Sequence, residues 1–168
     1  MSDGLSCECH MPLAWHAAQL EPGVHQARMR EATLLLTALN QMEGAHEIES
    51  SGHENRRLDR IEAKLDLTLH LLARTLETGT APEMTIVQLT PSGAQWQDAA
   101  PPSEGTMLLL EFRPSEVLPL SLKLPAIALE PLSGYARVKF EGLTEALDEA
   151  LYQFIFRRHR QAIRARTA

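Results

Sequence analysis

Apolar residues along this chain keep two different periods, and the change between them falls near Gly79. From Pro22 to Ile48 the segment is rich in Ala, Leu, Met, Gln and Glu. Within it Ala32, Leu35, Leu39, Met42 and Ala45 recur every three or four residues, which predicts one face of an α-helix with Pro22 in its first turn. Ser50, Ser51 and Gly52 interrupt the pattern, and a second helix is predicted from about Glu54 to Thr78 with Gly79 as its C-cap. Its seam is Leu58, Ile61, Leu65, Leu69, Leu72 and Leu76, and its other face mixes Arg57, Asp59, Glu62, Lys64, Asp66 and Arg74. Seam spacings of three, four, four, three and four depart once from heptad alternation, giving a short coiled coil with a local change in winding. Such a seam serves either a hairpin within one chain or a bundle between chains.

Beyond Gly79 the runs become short and strand-like: Thr85 to Leu89, Met107 to Phe112, Leu118 to Leu124, Ile127 to Leu129 and Tyr135 to Phe140. Pro-, Ser- and Gly-containing turns separate them, which predicts a small antiparallel barrel or sandwich. A final helix is predicted from about Thr144 to Arg166, with Leu147, Leu151, Phe154 and Ile155 facing inward. Residues 1–21 show no sustained period and carry Pro12, so they read as a tail or packing arm with local helix around Leu13 to Leu20. The expected organisation is α+β: a tail at 1–21, a helical oligomerisation region at 22–79, and a barrel with its closing helix at 80–168.

With 44% hydrophobic residues the chain has enough apolar side chains to bury a core, and its net charge of −6 argues against a broad nucleic-acid-binding field. No apolar run is long enough to span a bilayer, and Asp3 and Glu8 at the N-terminus do not suit a secretory signal, so a cytoplasmic location is expected. Cys7 and Cys9 are too close in sequence to staple a domain, in keeping with a reducing compartment.

Between Met84 and Trp96, a strand pattern ends in the polar turn Gln88-Leu89-Thr90-Pro91-Ser92-Gly93 and a second apolar stretch follows. This turn resembles the Asp-x-Ser-x-x-Gly motif of PilZ domains, receptors for cyclic di-GMP, with Gln88, Thr90 and Gly93 at the matching positions. Thr90 keeps the hydroxyl and Gly93 the freedom for positive φ, while Gln88 offers an amide where the family has a carboxylate. Arg56 and Arg60 have the spacing of the family's Arg-x-x-x-Arg, whose two guanidiniums fork onto guanine edges and phosphates. On the residues alone they read as a solvated helix start, with Asp59 between them and Ile61 and Leu65 continuing the seam. The order of strands, then Arg137-Val138-Lys139-Phe140, then a helix bearing Phe154-Ile155-Phe156-Arg157-Arg158-His159-Arg160, resembles the family's six-stranded barrel and closing helix. The leucine-rich segment ahead of it looks like the atypical, tetramer-forming branch. The resemblance implies cyclic di-GMP as ligand, no required cofactor, a homotetramer and protein partners in signalling. With Gln88 replacing the carboxylate, ligand binding by the isolated chain is expected to be weak or absent.

Other groupings point less far. Cys7, Cys9, His10 and His16 are soft metal-ligand types without the second pair of a zinc site, so a tail is the simpler reading. Arg157, Arg158, Arg160, Arg164 and Arg166, with Lys139 upstream, are the concentrated positive charge. They fit a helix C-terminal dipole, a phosphate-bearing ligand or an acidic protein, and less well a nucleic acid, since no aromatic platform is interleaved. No phosphate loop, nucleophile elbow or His-Glu-x-x-His occurs, so the chain is not expected to be an enzyme.

Overall fold

The computed structural model describes residues 5–19, 21–44, 57, 60, 61, 63–65, 67, 68, 82–115 and 121–167. Six antiparallel strands close into a barrel: β1 (Cys7–Ala17), β2 (Glu83–Thr90), β3 (Gly93–Gln97), β4 (Met107–Phe112), β5 (Leu122–Leu132) and β6 (Tyr135–Phe140), in the order β1-β2-β3-β6-β5-β4. It is accompanied by the helices α1 (Pro22–Gly44) and α2 (Glu145–Thr167) and by helical residues between 57 and 68. Helix α2 starts on Thr144, whose Oγ1 accepts from Leu147 N at 3.3 Å, with Glu145 and Asp148 in the first turn where the helix dipole favours negative charge.

The N-terminal segment departs from the expected tail. Cys7, Met11 and Leu13 are buried while Glu8 and His10 are exposed, the alternation of a half-buried strand. β1 pairs with β2 from Cys7↔Leu89 to Leu13↔Glu83 and with β4 from Leu13↔Phe112 to Ala17↔Leu108. Neither partner is adjacent in sequence, so no hairpin turn announces it, and the strand is fixed only when the barrel closes around its long-range ladders. The split expected at Pro125 is also absent. The Pro125 carbonyl accepts from Glu141 N at 3.0 Å, so its missing N–H faces the end of β6, beyond the last pair Ala126↔Phe140, and costs the ladder nothing.

The helix at 22–44 is not a body apart from the barrel. Met29, Ala32, Leu35, Leu36 and Leu39 join one core with barrel residues such as Leu89, Trp96, Leu110, Phe112 and Leu124 and with Leu147, Leu151, Phe154 and Ile155 of α2. Two polar links pin α1 to α2: Asn40 Nδ2 donates to Ala150 O at 2.8 Å, and Glu43 meets Arg158 at 2.9 Å and Arg157 at 3.8 Å. Of the second predicted helix, residues 57, 60, 61, 63–65, 67 and 68 are helical. Leu67 is buried in the core, whereas Ile61 and Leu65 remain 53% and 58% exposed. The other seam positions, Leu58, Leu69, Leu72 and Leu76, lie outside the described residues, as does Arg56.

Candidate ligand cleft beside the Gly93 turn

Strands β2 and β3 are joined by Pro91 and Ser92 alone, with Thr90 and Gly93 as the closing pair. Gly93 is required here by close approach and not by positive φ, which it does not adopt. A β-carbon on it would collide with the Val138 carbonyl oxygen and would stand 3.2 Å from the Val138 carbonyl carbon. Phe140 N donates to Ser92 O at 2.9 Å, so β6 lies directly against the turn.

Beside this turn opens a cleft of about 650 Å³ that gathers Gln88, Thr90 and Gly93 with Arg137, Lys139 and Tyr152. Leu5 and Ser6, just before β1, form part of its wall. Three of the residues expected at the ligand site are therefore brought together. Arg60 does not line the cleft; it is helical and half-buried.

The polar groups of the turn are already engaged. Gln95 Nε2 donates to Gln88 Oε1 at 2.7 Å, across the pair Gln88↔Gln95. Thr90 Oγ1 donates to Gly93 O at 3.1 Å and stands 3.4 Å from Ser92 Oγ. The cations come from β6, where Arg137 and Lys139 alternate with buried Ala136, Val138 and Phe140 and so share one face. Lys139 Nζ pairs with Glu141 at 3.2 Å, while Arg137 has no acidic partner among the described residues. Tyr152 adds an exposed ring from α2, stacked at 6.3 Å on Phe156.

The turn is marked by the sequence, whereas Arg137, Gln95 and Tyr152 join the site only through the fold. The strand period was the available signal, since it places Arg137 and Lys139 on the same side. The arginine run of α2, in contrast, is partly neutralised. Arg157 and Arg158 meet Glu43, Arg158 also donates to Pro114 O at 3.0 Å and lies 5.3 Å from the Phe154 ring centroid, and Arg160 lies 5.8 Å from that of Phe156.

The family model for the atypical PilZ domain, described as a cyclic di-GMP receptor, matches residues 34–167. The chain belongs to this family. Among solved structures, a pathogenic protein of Xanthomonas campestris is 31% identical to it, with a TM-score of 0.72, over 97% of this chain and 92% of that one. That protein is described as a new tetrameric PilZ domain self-assembled via an unusual helical bundle. No curated protein matches the chain. The six-stranded barrel with a closing helix is thus the PilZ fold.

No helix among the described residues is long and apolar enough to cross a membrane.

Proposed function

We propose that the protein is a non-catalytic PilZ module that assembles with copies of itself through the seam Leu58, Ile61, Leu65, Leu69, Leu72 and Leu76 and signals through protein contacts in a cyclic di-GMP pathway. Direct affinity for the dinucleotide is low. This reading is carried by the Gln88–Gln95 amide pair: the position of the family's carboxylate holds a neutral oxygen already spent on a neighbour at 2.7 Å. An amide cannot accept two charge-assisted bonds from a guanine edge as a carboxylate does, and freeing Gln88 would leave Gln95 to find another acceptor. Self-assembly is supported by the exposure of Ile61 and Leu65 beside buried Leu67, and by the tetrameric helical bundle attributed to the Xanthomonas campestris relative.

A second reading, a working cyclic di-GMP receptor, is favoured by one observation: Arg137, without an acidic partner among the described residues, faces the cleft together with Lys139. In that case Arg56, Arg60, Thr90 and Gly93 would contribute as in the family pattern. Titration calorimetry with cyclic di-GMP separates the two. The first reading expects no saturable heat at micromolar protein. A Kd near or below about 1 μM, roughly 8 kcal/mol, establishes the second. Arg60→Ala and Arg137→Ala would then tell which cations bind, since loss of a charged donor costs about 1.5 to 3 kcal/mol.

A further inference from the structure

Cys7 and Cys9 sit two residues apart on β1 with their side chains on one face, and their sulfurs are 3.3 Å apart. Both are free thiols, Cys7 buried and Cys9 half-buried. We propose that Cys7 and Cys9 form a redox-active dithiol that reduces a hydroperoxide, with Cys9 as the attacking sulfur and Cys7 as the resolving one.

The assignment of roles follows from the surroundings. Cys9 is the more accessible residue of the two, and the charge of Arg158 on α2 acts on both thiols. A hydrogen bond from Cys7 holds the Cys9 thiol below its ordinary value against the opposing effect of burial, and Arg158 lowers it further while Glu8 opposes. Cys7 is pushed upward by that same hydrogen bond, by burial and by the charge on Cys9, with Arg158 acting the other way, so it keeps the proton. A partly accessible thiol whose ionisation is eased by its neighbours, beside one that keeps its proton, is the arrangement that oxidation selects.

The chemistry balances with the peroxide as sole oxidant. The Cys9 thiolate attacks one peroxide oxygen, the O–O bond breaks, and the leaving alkoxide or hydroxide takes a proton from solvent, leaving Cys9 as a sulfenic acid. Cys7 sulfur then attacks Cys9 sulfur, the S–O bond breaks, and the departing hydroxide takes the Cys7 proton as water. Two thiols have lost two electrons in total, and the peroxide has become an alcohol, or water, plus water.

The disulfide would alter the edge beside the cleft. In an extended strand, alternate Cα atoms are about 6.6 to 6.8 Å apart, at the upper end of what a disulfide spans, so bonding must shorten the strand between them. The affected residues are those paired in the ladder Cys7↔Leu89, Glu8↔Gln88 and Cys9↔Val87, next to Leu5 and Ser6 of the cleft wall. His159 of α2 ties down the Ser6 carbonyl at 2.8 Å, so the shortening is taken up by the β1–β2 ladder.

The full chain, treated with excess hydrogen peroxide and then analysed by intact mass and thiol titration, is expected to lose both thiols and two hydrogens within one chain, and to recover both on reduction. Hydrogen exchange at the amides of Val87 to Leu89 is expected to quicken on oxidation, with those of Leu124 and of Ala126 to Ala128 unchanged. Cys7→Ser should trap sulfenic acid on Cys9, captured by dimedone, whereas Cys9→Ser should give no dimedone adduct. An unaltered mass in the natural chain, or addition of oxygen without loss of hydrogens, overturns the proposal with no variant needed. Disulfides found only between chains, or equal dimedone capture in both variants, overturn it as well.

Discussion

A side chain on Gly93 would have to enter the space of the Val138 carbonyl, with Lys139 Cα at 3.3 Å behind it. Backbone cannot yield as the end of a flexible side chain does, so Gly93→Ala should cost on the order of 1 to 3 kcal/mol, an overpacking penalty. Thermal unfolding should show this as a drop of several degrees, since each kcal/mol moves the Tm of a domain this size by about 2–4 °C. An unchanged Tm would mean that β6 does not approach the turn this closely. Asp98 offers a second test. Burial pushes its carboxyl up, but donation from Ala100 N, Trp15 Nε1 and Trp96 Nε1, the indoles at 2.9 and 3.1 Å, holds it below its ordinary value of 3.8. A depressed folded-state value means that this stabilisation is complete above about pH 4 and is lost as pH falls through the folded value. Asp98→Asn should therefore be less stable than the natural chain near pH 6, by about 1 kcal/mol or more for the lost charge-assisted bonds, with the gap closing towards pH 2. A gap independent of pH in urea unfolding would show that the carboxylate is not the species bonded to the indoles.

Beside their apolar faces and the Asn40–Ala150 hydrogen bond, helices α1 and α2 share one carboxylate between two guanidiniums. Glu43 stands 2.9 Å from Arg158 and 3.8 Å from Arg157, with roughly a quarter of the Glu43 side chain exposed. A partly covered pair of this kind is worth more than a fully solvated one, because removing the acid leaves both cations near the core without a counter-charge. Glu43→Ala is expected to cost about 1 to 3 kcal/mol in denaturant unfolding, below the range for fully buried pairs. A loss within about 0.5 kcal/mol, the scale of ordinary surface changes, would show that the helices are held by their apolar faces alone. Both helix faces were legible from spacing: Ala32, Leu35 and Leu39 of α1 and Leu147, Leu151, Phe154 and Ile155 of α2 are buried, Met42 is partly buried against the same core, and Ala45 lies outside the described residues. β4 and β6 also fell where their apolar runs stand, Met107–Phe112 and Tyr135–Phe140. The tight β5–β6 hairpin uses Ser133 and Gly134 at φ 51° and 83°, the left-handed pair that a two-residue turn between twisted strands demands.

The exposed side chains of Ile61 and Leu65 bear on assembly. Ile61 and Leu65 are more than half exposed in a single chain, while Leu67, from the other side, is in the core. Apolar side chains lined up in water lose the stabilisation that burial would give, about 1.5 to 3 kcal/mol for each fully covered Leu or Ile. Covering them with a second copy recovers it. We expect light scattering at micromolar concentration to give a multiple of the chain mass, with a tetramer the leading outcome. Leu65→Asp combined with Leu72→Asp should reduce this to the single-chain mass while circular dichroism retains the barrel, because a buried unpaired carboxylate is strongly penalised. A single-chain mass for the natural protein would instead mean that the seam is covered within one chain.

What the sequence determined by itself was local. Helical spacing marked α1 and α2, alternation and turn residues marked the strands after Gly79, and the polar turn from Gln88 to Gly93 marked one wall of the cleft. These signals need no information from distant residues, since they arise from the 3.6 and 2.0 periods and from the backbone demands of turns. Tertiary structure decided what depends on closure. β1, with Pro12 and soft Cys and Met residues, becomes a strand because β2 and β4 supply ladders on its two sides. Arg137, Lys139 and Tyr152 become neighbours of the turn because β6 pairs with β3 and α2 packs across the barrel. Gly93 owes its place to the backbone of β6 rather than to its own φ, a reason no local pattern could carry.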